Sequence, residues 1–474
     1  MGRAWMRKLT AAWSVLAITV LTLAGLTPAA QAAPEDIKQA LGRIPGLTVV
    51  SENPAPTGYR FFKLAYTQPI DHRRPGAGTF QQRFTLLHKE FRAPIVVYTS
   101  GYNVSESPNR SEPTQIVDGN QLSMEYRFFT PSRPDRPDWG KQLTIWQAAA
   151  DQHRAVEAFK RLYPGKWLAT GGSKGGMTAT YFRRFFPNDV DATIPYVAPN
   201  DVINSHDRYN RFLANVGNDP ACRSALKAIQ RDVLTRRPEF AALAAADAAK
   251  NGYTFTTVGS ADISLEISVI DSYFAFWQYQ KQSDCATVPK AGAPAAEIYA
   301  WFERVESLNT YSDQNLGIYV PYYFQAAYQL GAPESYEDYL RDLLRYPGSN
   351  VSRTFVPKSV DIPRFDHLAM PDIDFWVKTQ GKRLLFVYGG NDPWGAEPFR
   401  LGFGSKDSYS YTVPGGNHGA RISQLPAAQA AEATNSVRRW AGLPPVSPGV
   451  TTRSVPAGFP DFDADLSLRH RPRL

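Results

Sequence analysis

The feature that most constrains this chain is a serine set among glycines, Gly171-Gly172-Ser173-Lys174-Gly175-Gly176. The residues before it, Trp167-Leu168-Ala169, predict the end of a buried strand, and apolar residues at helical spacing run from Met177 to Phe186. At such a strand-to-helix turn the serine has strained backbone angles, and small neighbours let its hydroxyl be exposed. We therefore predict a nucleophile elbow. The alternative is an N-cap serine that follows a glycine turn.

The first 32 residues have the pattern of a secretory signal peptide. A basic segment, residues 3–8, precedes an apolar run from Val15 to Leu26, and Ala30-Gln31-Ala32 supplies small residues at the cleavage spacing. The apolar run is shorter than the roughly 20 residues that a membrane span needs. We expect cleavage after Ala32 and a secreted (extracellular) protein with no stable membrane association.

Charge and cysteine content narrow the function classes. Without residues 1–32, which hold three basic residues and no acid, the formal net charge falls from +8 to +5. Lysines and arginines are dispersed, so nucleic-acid binding is not predicted. In an exported chain, Cys222 and Cys285 predict a disulfide, because a metal site would need further ligands nearby. No H-E-x-x-H pattern occurs, and we predict no metal, no cofactor and a monomer.

Strands alternate with helices in two separate parts of the chain. The predicted strands are Phe61 to Tyr66, Gln81 to His88, Ile95 to Tyr98, Gln121 to Phe128, Ala192 to Val197, Arg383 to Tyr388 and Ser408 to Val413. Helices are predicted at 143–163 and about 423–441. This alternation predicts a parallel sheet. The predicted divisions are the signal peptide 1–32, an α/β core 33–200 and 366–445, a mostly helical cap 201–365, and a Pro-rich tail 446–474.

Two loops of the second part supply an acid and a histidine. Asp392 follows the strand that ends at Tyr388, and His418 lies in a glycine-rich loop after the next strand. The order Ser173, Asp392, His418 is that of α/β-hydrolases, and loops that follow parallel strands meet at one edge of the sheet. We therefore predict an α/β-hydrolase fold with this triad. For Asp392 alone, the alternative is a cap of a helix beginning at Pro393.

Backbone N–H groups near the elbow complete the predicted chemistry. The N–H of Lys174 would form half of an oxyanion hole, and Gly101 or Tyr102, after the Ile95 strand, would supply the other half. A Ser–Lys mechanism is the alternative. It is disfavoured because the side chain of Lys174 would point away from Ser173 at the start of the helix.

Three motifs resemble a known family. They are Gly171 to Met177, Gln68-Pro69-Ile70-Asp71-His72 with residues 78–83, and Met124 to Phe129. Together they resemble the secreted bacterial prolyl tri/tetrapeptidyl aminopeptidases, which are serine peptidases. A more distant similarity runs to the prolyl carboxypeptidase and dipeptidyl peptidase group. The resemblance covers most of the mature chain and is weakest in the cap.

The resemblance implies a serine exopeptidase that releases tripeptides, or tetrapeptides, from free N-termini through an acyl-enzyme on Ser173. Proline is the expected residue at the cleaved bond, and peptides are the expected partners. Such an enzyme needs a carboxylate for the substrate's α-ammonium. Glu125 is the first candidate and Asp201 the second, with a structural ion pair to Arg127 or another basic residue as the alternative for Glu125. The aromatic run Tyr273 to Tyr279 is a candidate pocket wall, or else the core of the cap.

Two other functions fit the same triad. A secreted lipase or esterase shares the fold but needs no carboxylate for an amine. A catalytically dead hydrolase fold used for binding would typically lose the serine, the histidine or the glycines, and here all are present.

Overall fold

The structure is a computed structural model that describes residues 36–446. The predicted signal peptide lies outside the described residues, and so does the predicted tail from residue 447 onward. No helix in the described range is long and apolar enough to cross a membrane.

A single mixed sheet forms the centre of the fold. Its nine strands lie in the order β1-β2-β3-β5-β4-β6-β7-β8-β9. From β5 onward along this order all neighbours are parallel, whereas β1, β2 and β3 pair antiparallel, as β3 does with β5. The strands are β1 Leu47–Asn53, β2 Arg60–Pro69, β3 Thr79–His88, β4 Ile95–Tyr98, β5 Asn120–Met124, β6 Trp167–Gly172, β7 Ala192–Tyr196, β8 Leu385–Gly389 and β9 Tyr409–Val413.

Helices cover the sheet and fill the segment between β7 and β8. They are α1 Ile37–Gly42, α2 Glu112–Val117, α3 Trp139–Gln142, α4 Ile145–Lys160, α5 Lys174–Phe185, α6 Tyr209–Asn215, α7 Pro220–Thr235, α8 Arg237–Asn251, α9 Ala261–Tyr279, α10 Ala295–Val305, α11 Asp313–Leu316, α12 Val320–Gln325, α13 Ala369–Gln380 and α14 Ala427–Trp440. A π-helical turn, Ala326–Leu330, continues α12. A mostly parallel sheet covered on both faces, with the serine at the β6–α5 turn, is the α/β-hydrolase fold.

The strand predicted at Gln121 to Phe128 was wrong at its end. β5 stops at Met124 because the chain turns away there: the Tyr126 N–H donates to the Tyr102 carbonyl, and Phe128 has φ +73°. Apolar character alone could not reveal this turn. The strand β1 and the helix α1 were not predicted.

The long segment between β7 and β8 holds only helices and turns among its regular elements. Its central helix, α9, is buried on all sides from Ser264 to Gln278, as expected for a helix that is apolar around its whole circumference. The disulfide between Cys222 and Cys285 is confirmed, and it links α7 to the 3₁₀ turn Gln282–Thr287 that follows α9. The later helix α13 packs against α5 of the core.

Candidate active site

Ser173 lies at a sharp turn between β6 and α5. It has φ +56° and ψ −128°, a region that costs a non-glycine residue roughly 1–3 kcal/mol. Its N–H donates to the Tyr196 carbonyl at 2.9 Å, so β7 holds the turn in place. Ser173 makes no side-chain capping hydrogen bond to α5, which disfavours the N-cap alternative. The local geometry is that of a nucleophile elbow.

Two glycines of the motif are required by close backbone approach. A Cβ at Gly171 would lie 2.3 Å from the Thr99 carbonyl oxygen, and one at Gly175 would lie 2.1 Å from the same atom. Gly172, in contrast, has open space at its Cβ position. Gly171 and Gly175, each two residues from Ser173, therefore let the elbow contact the loop after β4.

The predicted acid and histidine meet at the same edge of the sheet. Asp392 Oδ2 lies 2.7 Å from His418 Nδ1, and both side chains are buried. Asp392 Oδ1 also accepts from the Trp394 N–H at 3.2 Å, so the carboxylate caps the following turn as well as contacting the histidine. His418 Nε2 is buried and has no hydrogen-bond partner within residues 36–446. An Asp-bound imidazole with its other nitrogen unengaged can serve as a general base.

Aromatic rings surround His418. The ring of Tyr279, at the end of α9, lies perpendicular to the imidazole at 6.3 Å, and Trp394 lies at 6.4 Å. Trp394 in turn contacts Tyr209 at 5.7 Å and Phe274 at 5.2 Å. The helical segment thus lies directly against the histidine. Phe274 and Tyr279 belong to the aromatic run that was a candidate pocket wall, whereas Tyr209 of α6 was not found from the sequence because it lies in a separate segment.

The loop after β4 contacts the elbow. Gly101 has φ +79°, and a Cβ there would lie 2.8 Å from both the Gly175 nitrogen and the Lys174 carbonyl carbon. The Gly101 N–H donates to Thr99 Oγ1 at 3.0 Å and the Tyr102 N–H to Ser100 Oγ at 3.2 Å. The Lys174 N–H lies in the first turn of α5, where it has no intrahelical acceptor. The N–H groups of Gly101 and Tyr102 are thus engaged within the loop, and the oxyanion assignments stay predictions.

The Lys174 side chain is buried among aromatic rings. Its Nζ lies 3.1 Å from the ring centroid of Tyr126, 5.7 Å from that of Tyr102 and 5.8 Å from that of Phe129. Burial lowers the pKa of the amine well below its usual value, and Nζ has no hydrogen-bond partner in the described part of the chain. The amine therefore makes no hydrogen bond to Ser173, which disfavours the Ser–Lys alternative.

Glu125 is fully buried and engaged in a structural ion pair. Its Oε2 accepts from Arg83 Nε at 3.1 Å and from the Val104 N–H at 3.1 Å, and its Oε1 accepts from Ser132 Oγ at 2.9 Å. The partner is Arg83, not Arg127. Because both oxygens are occupied, these contacts do not favour Glu125 as the site of a substrate ammonium.

Asp201 has the opposite surroundings. It is 4% exposed, and neither carboxylate oxygen has a hydrogen-bond partner among residues 36–446. Burial, together with the neighbouring charges of Asp207 and Glu397, raises the pKa of Asp201 to about 8, although the nearby Ala332 N–H, which donates to Asn204 Oδ1 at 2.8 Å, lowers it in part. The preceding Asn200 N–H donates to the Glu397 carbonyl at 2.7 Å, which holds Asp201 beside the segment that begins at Asp392. An uncompensated buried carboxyl is a binding-site candidate.

Most of the aromatic run in α9 belongs to the core. Tyr273, Phe276 and Trp277 are buried, and Phe276 lies against Trp301. Among the aromatic rings of the run, only Phe274, through Trp394, and Tyr279 are in ring contact with the surroundings of His418. The expected pocket wall is therefore supplied by few members of the run, while the others stabilise the helical segment.

The other family-like motifs form a buried polar network. Arg127 Nε and Nη2 each lie 2.7 Å from the carboxylate of Asp151, and His72 Nε2 contacts the same carboxylate at 2.7 Å. Gln68 Nε2 donates to Gln82 Oε1 and to the Asp151 carbonyl, each at 3.0 Å. These residues join β2 and β3 to α4, so their role is structural.

One group of side chains in the described range has the spacing of metal ligands. Ligand atoms of His153, Glu157 and Asp189 lie within 4.8 Å of one another. They are already paired, since His153 Nδ1 contacts Asp189 at 2.7 Å and Lys160 donates to Glu157 at 3.0 Å. None of the predicted catalytic residues belongs to this group.

Comparison with known proteins identifies the family. The model of PS-10 peptidase S37 matches residues 30–473. The chain belongs to this peptidase family. It is 53% identical over 437 residues to the prolyl tri/tetrapeptidyl aminopeptidase of Streptomyces mobaraensis, covering 91% of this chain and 90% of that protein. The resemblance stated from the motifs is confirmed, and the protein is a serine peptidase, not a lipase or esterase.

Two further similarities are weaker. Human lysosomal Pro-X carboxypeptidase is 27% identical over 202 residues, covering 39% of this chain and 40% of that protein. The peroxisomal α/β-hydrolase Lpx1 of Saccharomyces cerevisiae is a solved structure with a TM-score of 0.33 and 10% identity, covering 86% of this chain and 91% of that one.

Proposed function

We propose that this S37 peptidase is an exported aminopeptidase that releases tripeptides, or tetrapeptides, from free N-termini, with proline preferred at the cleaved bond. The observation that carries the proposal is the buried Asp392–His418 pair at the same sheet edge as the strained Ser173. The 53% identity to a prolyl tri/tetrapeptidyl aminopeptidase supports the substrate class.

The triad would work through an acyl-enzyme. Ser173 Oγ attacks the scissile carbonyl carbon while His418 Nε2 takes the hydroxyl proton, and Asp392 holds Nδ1–H and stabilises the imidazolium. His418 then gives the proton to the leaving amine as the C–N bond breaks. Water attacks the ester, His418 takes a proton from it, and Ser173 leaves with that proton. The two half-reactions together consume one peptide and one water molecule, release the two peptide fragments and return Ser173 and His418 to their starting protonation states.

The developing oxyanion would be bound by backbone donors. Lys174 is the first residue of α5, and Gly101, on the loop that carries Tyr102, lies against it. Such preorganised donors stabilise the tetrahedral intermediate more than the planar substrate. The Tyr102 ring contacts Tyr319 and Tyr322 at 6.0 Å each, so the helical segment supports the loop.

Asp201 would bind the substrate's α-ammonium. An ammonium group supplies the charge and the hydrogen-bond donors that this buried carboxyl lacks, and it would stabilise the ionised form. The ring of Trp394 lies 6.4 Å from that of His418 and 5.7 Å from that of Tyr209. Burial, and then the charge of the nearby Asp201, raise the pKa of the Tyr209 hydroxyl.

A cavity of about 660 Å³ adjoins this region. Asn204, Tyr322 and Ala332 line it, and the neighbouring Gly331 approaches Asp201 so closely that a Cβ would lie 2.3 Å from Oδ2. The volume is within the range of small-ligand sites. Ser173, His418 and Asp201 do not line it, so we assign it to the approach of the peptide.

Export is the remaining part of the proposal. It is supported by the basic, apolar and small-residue order of the first 32 residues. The Cys222–Cys285 disulfide is of the kind that persists in oxidising compartments.

The deciding experiment uses a chromogenic substrate whose peptide is a tripeptide ending in proline. It compares the form with a free N-terminus with the N-acetylated form. We expect hydrolysis of the free form only, release of intact tripeptides by mass spectrometry, and loss of turnover in Ser173→Ala and His418→Ala. A fluorophosphonate probe should label the wild type but not Ser173→Ala. Equal hydrolysis of both substrates would refute the aminopeptidase proposal, and unlabelled wild type would restore the catalytically dead alternative.

A further inference from the structure

The loop that carries His418 is attached to the helical segment between β7 and β8. The His418 N–H donates to the Gln278 carbonyl at 2.9 Å. Asn417 Nδ2 donates to the carbonyls of Tyr279 and Gln280 at 3.0 and 3.2 Å. These carbonyls belong to the last turn of α9 and the residue after it, which have no intrahelical donors. The end of α9 therefore binds the backbone and neighbour of the proposed base directly.

Asn417 also shapes the turn around the histidine. Its Oδ1 accepts from the Gly419 N–H at 3.0 Å, while its own Nδ2 reaches across to α9. One side chain thus couples the local turn to a helix that lies 138 residues away in the sequence. The loop is tied to the acid-bearing loop too, because the Asn391 N–H donates to the Gly416 carbonyl at 2.8 Å.

The segment that follows α9 is itself held by a hydrogen bond and the disulfide. Gln282 Oε1 accepts from the Asn218 N–H at 3.0 Å, and Cys285 is bonded to Cys222 on α7. Further back along α9, the Val269 carbonyl accepts a hydrogen bond from the buried Gln230 side chain of α7 at 2.7 Å. The end of α9 is therefore held at several points within the helical segment, which makes it a rigid support for the loop.

We propose that Asn417 is a positioning residue that couples the seating of α9 to the orientation of His418. The inference rests on the proposed role of His418 as the base. Nε2 has no hydrogen-bond partner in the described range, so the direction of the imidazole depends on Asp392 and on the backbone that α9 holds. Small displacements of a base from its productive geometry reduce the rate of the chemical step strongly.

The test uses the full-length secreted enzyme and three variants. Asn417→Ala removes both sets of contacts, and Asn417→Asp keeps the acceptor for Gly419 but removes the donor to α9. Both should lower kcat about tenfold or more with KM unchanged, as expected for a group that acts in the chemical step. Cys222→Ala/Cys285→Ala, which frees the segment after α9, should lower kcat in the same direction by a smaller factor.

Fluorophosphonate labelling separates this inference from the proposed function, because it reports on the activation of Ser173 whatever peptide is cut. We expect the labelling rate to fall in parallel with kcat, at temperatures where near-ultraviolet circular dichroism shows folded protein. Wild-type kcat and labelling in both Asn417 variants would overturn the inference while leaving the triad intact. A kcat loss that only follows loss of folded protein would overturn it as well. Labelling that persists in Ser173→Ala would instead refute the proposed function.

Discussion

Glu125 and Asp201 are two buried carboxylic acids that follow strands of the same sheet, and their surroundings are opposite. Glu125 is held by Arg83, Ser132 and the Val104 N–H, whereas neither oxygen of Asp201 has a hydrogen-bond partner among residues 36–446. A satisfied buried carboxylate stabilises the fold, while an unsatisfied one costs stability unless something binds it. A position after a strand therefore does not identify a substrate-binding acid. The hydrogen-bond partners of its carboxyl group distinguish a structural acid from a candidate binding acid.

The largest loss of stability should come from Glu125→Ala. Removing the carboxylate leaves the Val104 N–H and Ser132 without their acceptor and breaks a buried ion pair, so the free energy of unfolding should fall by about 3 kcal/mol. Urea unfolding followed by tryptophan fluorescence measures it. The preference for free over N-acetylated substrate should be unchanged in the folded fraction. Loss of that preference at unaltered stability would reverse our assignment of the two acids.

The matched change at the other site is Asp201→Asn. It removes the negative charge that would face the α-ammonium, so kcat/KM for a free tripeptidyl substrate should fall about 30-fold, equivalent to about 2 kcal/mol. Steady-state kinetics with the Glu125→Gln enzyme as control provide the measurement. A wild-type kcat/KM in Asp201→Asn would show that another group binds the ammonium.

The pH dependence of stability should distinguish the two acids next. Burial and the charges of Asp207 and Glu397 raise the pKa of Asp201 to about 8 in the folded protein, above its usual value near 4. The folded state then holds more protons than the unfolded state between about pH 4 and pH 8, so this group's contribution to stability falls as pH rises through that window. Asp201→Asn should be more stable than the wild type at pH 9, on the order of a few kcal/mol, and similar at pH 4. Parallel stability profiles of the two proteins from pH 4 to 9 would contradict the shifted pKa.

The smallest effect is expected at Lys174, a third buried titratable group. Its amine has no hydrogen-bond partner in the described range and lies among three aromatic rings, so Lys174→Met should preserve packing. We expect kcat within about threefold of the wild type and equal or higher stability, as for a volume-conserving substitution. Active-site-titrated kinetics and thermal unfolding measure both. A loss of several orders of magnitude would show that the amine takes part in the reaction.

Much of the fold and the acid–histidine contact could be predicted from local patterns. The serine among glycines, the acid after β8 and the histidine after β9 each follow a predicted strand, and parallel strands bring their ends to one edge. The Asp392–His418 distance of 2.7 Å agrees with that expectation. The end of β5 was predicted wrongly because the chain after Met124 turns to the loop after β4, where the Tyr126 N–H donates to the Tyr102 carbonyl, and no local pattern records this contact.

The elbow, the order of the proposed triad and the family could be predicted from the amino-acid sequence, because they depend on residue types at short spacing or on a match along the whole chain. The disulfide could be predicted because the sequence holds two cysteines and begins with a predicted signal peptide. Three features could be seen only in the folded structure. They are which carboxyl group has hydrogen-bond partners, which rings surround the Lys174 amine, and the hydrogen bonds from the His418 loop to α9. Each of these depends on donors and rings from segments far apart in the chain, such as Asn417 and Tyr279. Hydrogen-bond satisfaction is a property of the packed fold, and so the functional meaning of a buried polar group emerges only there.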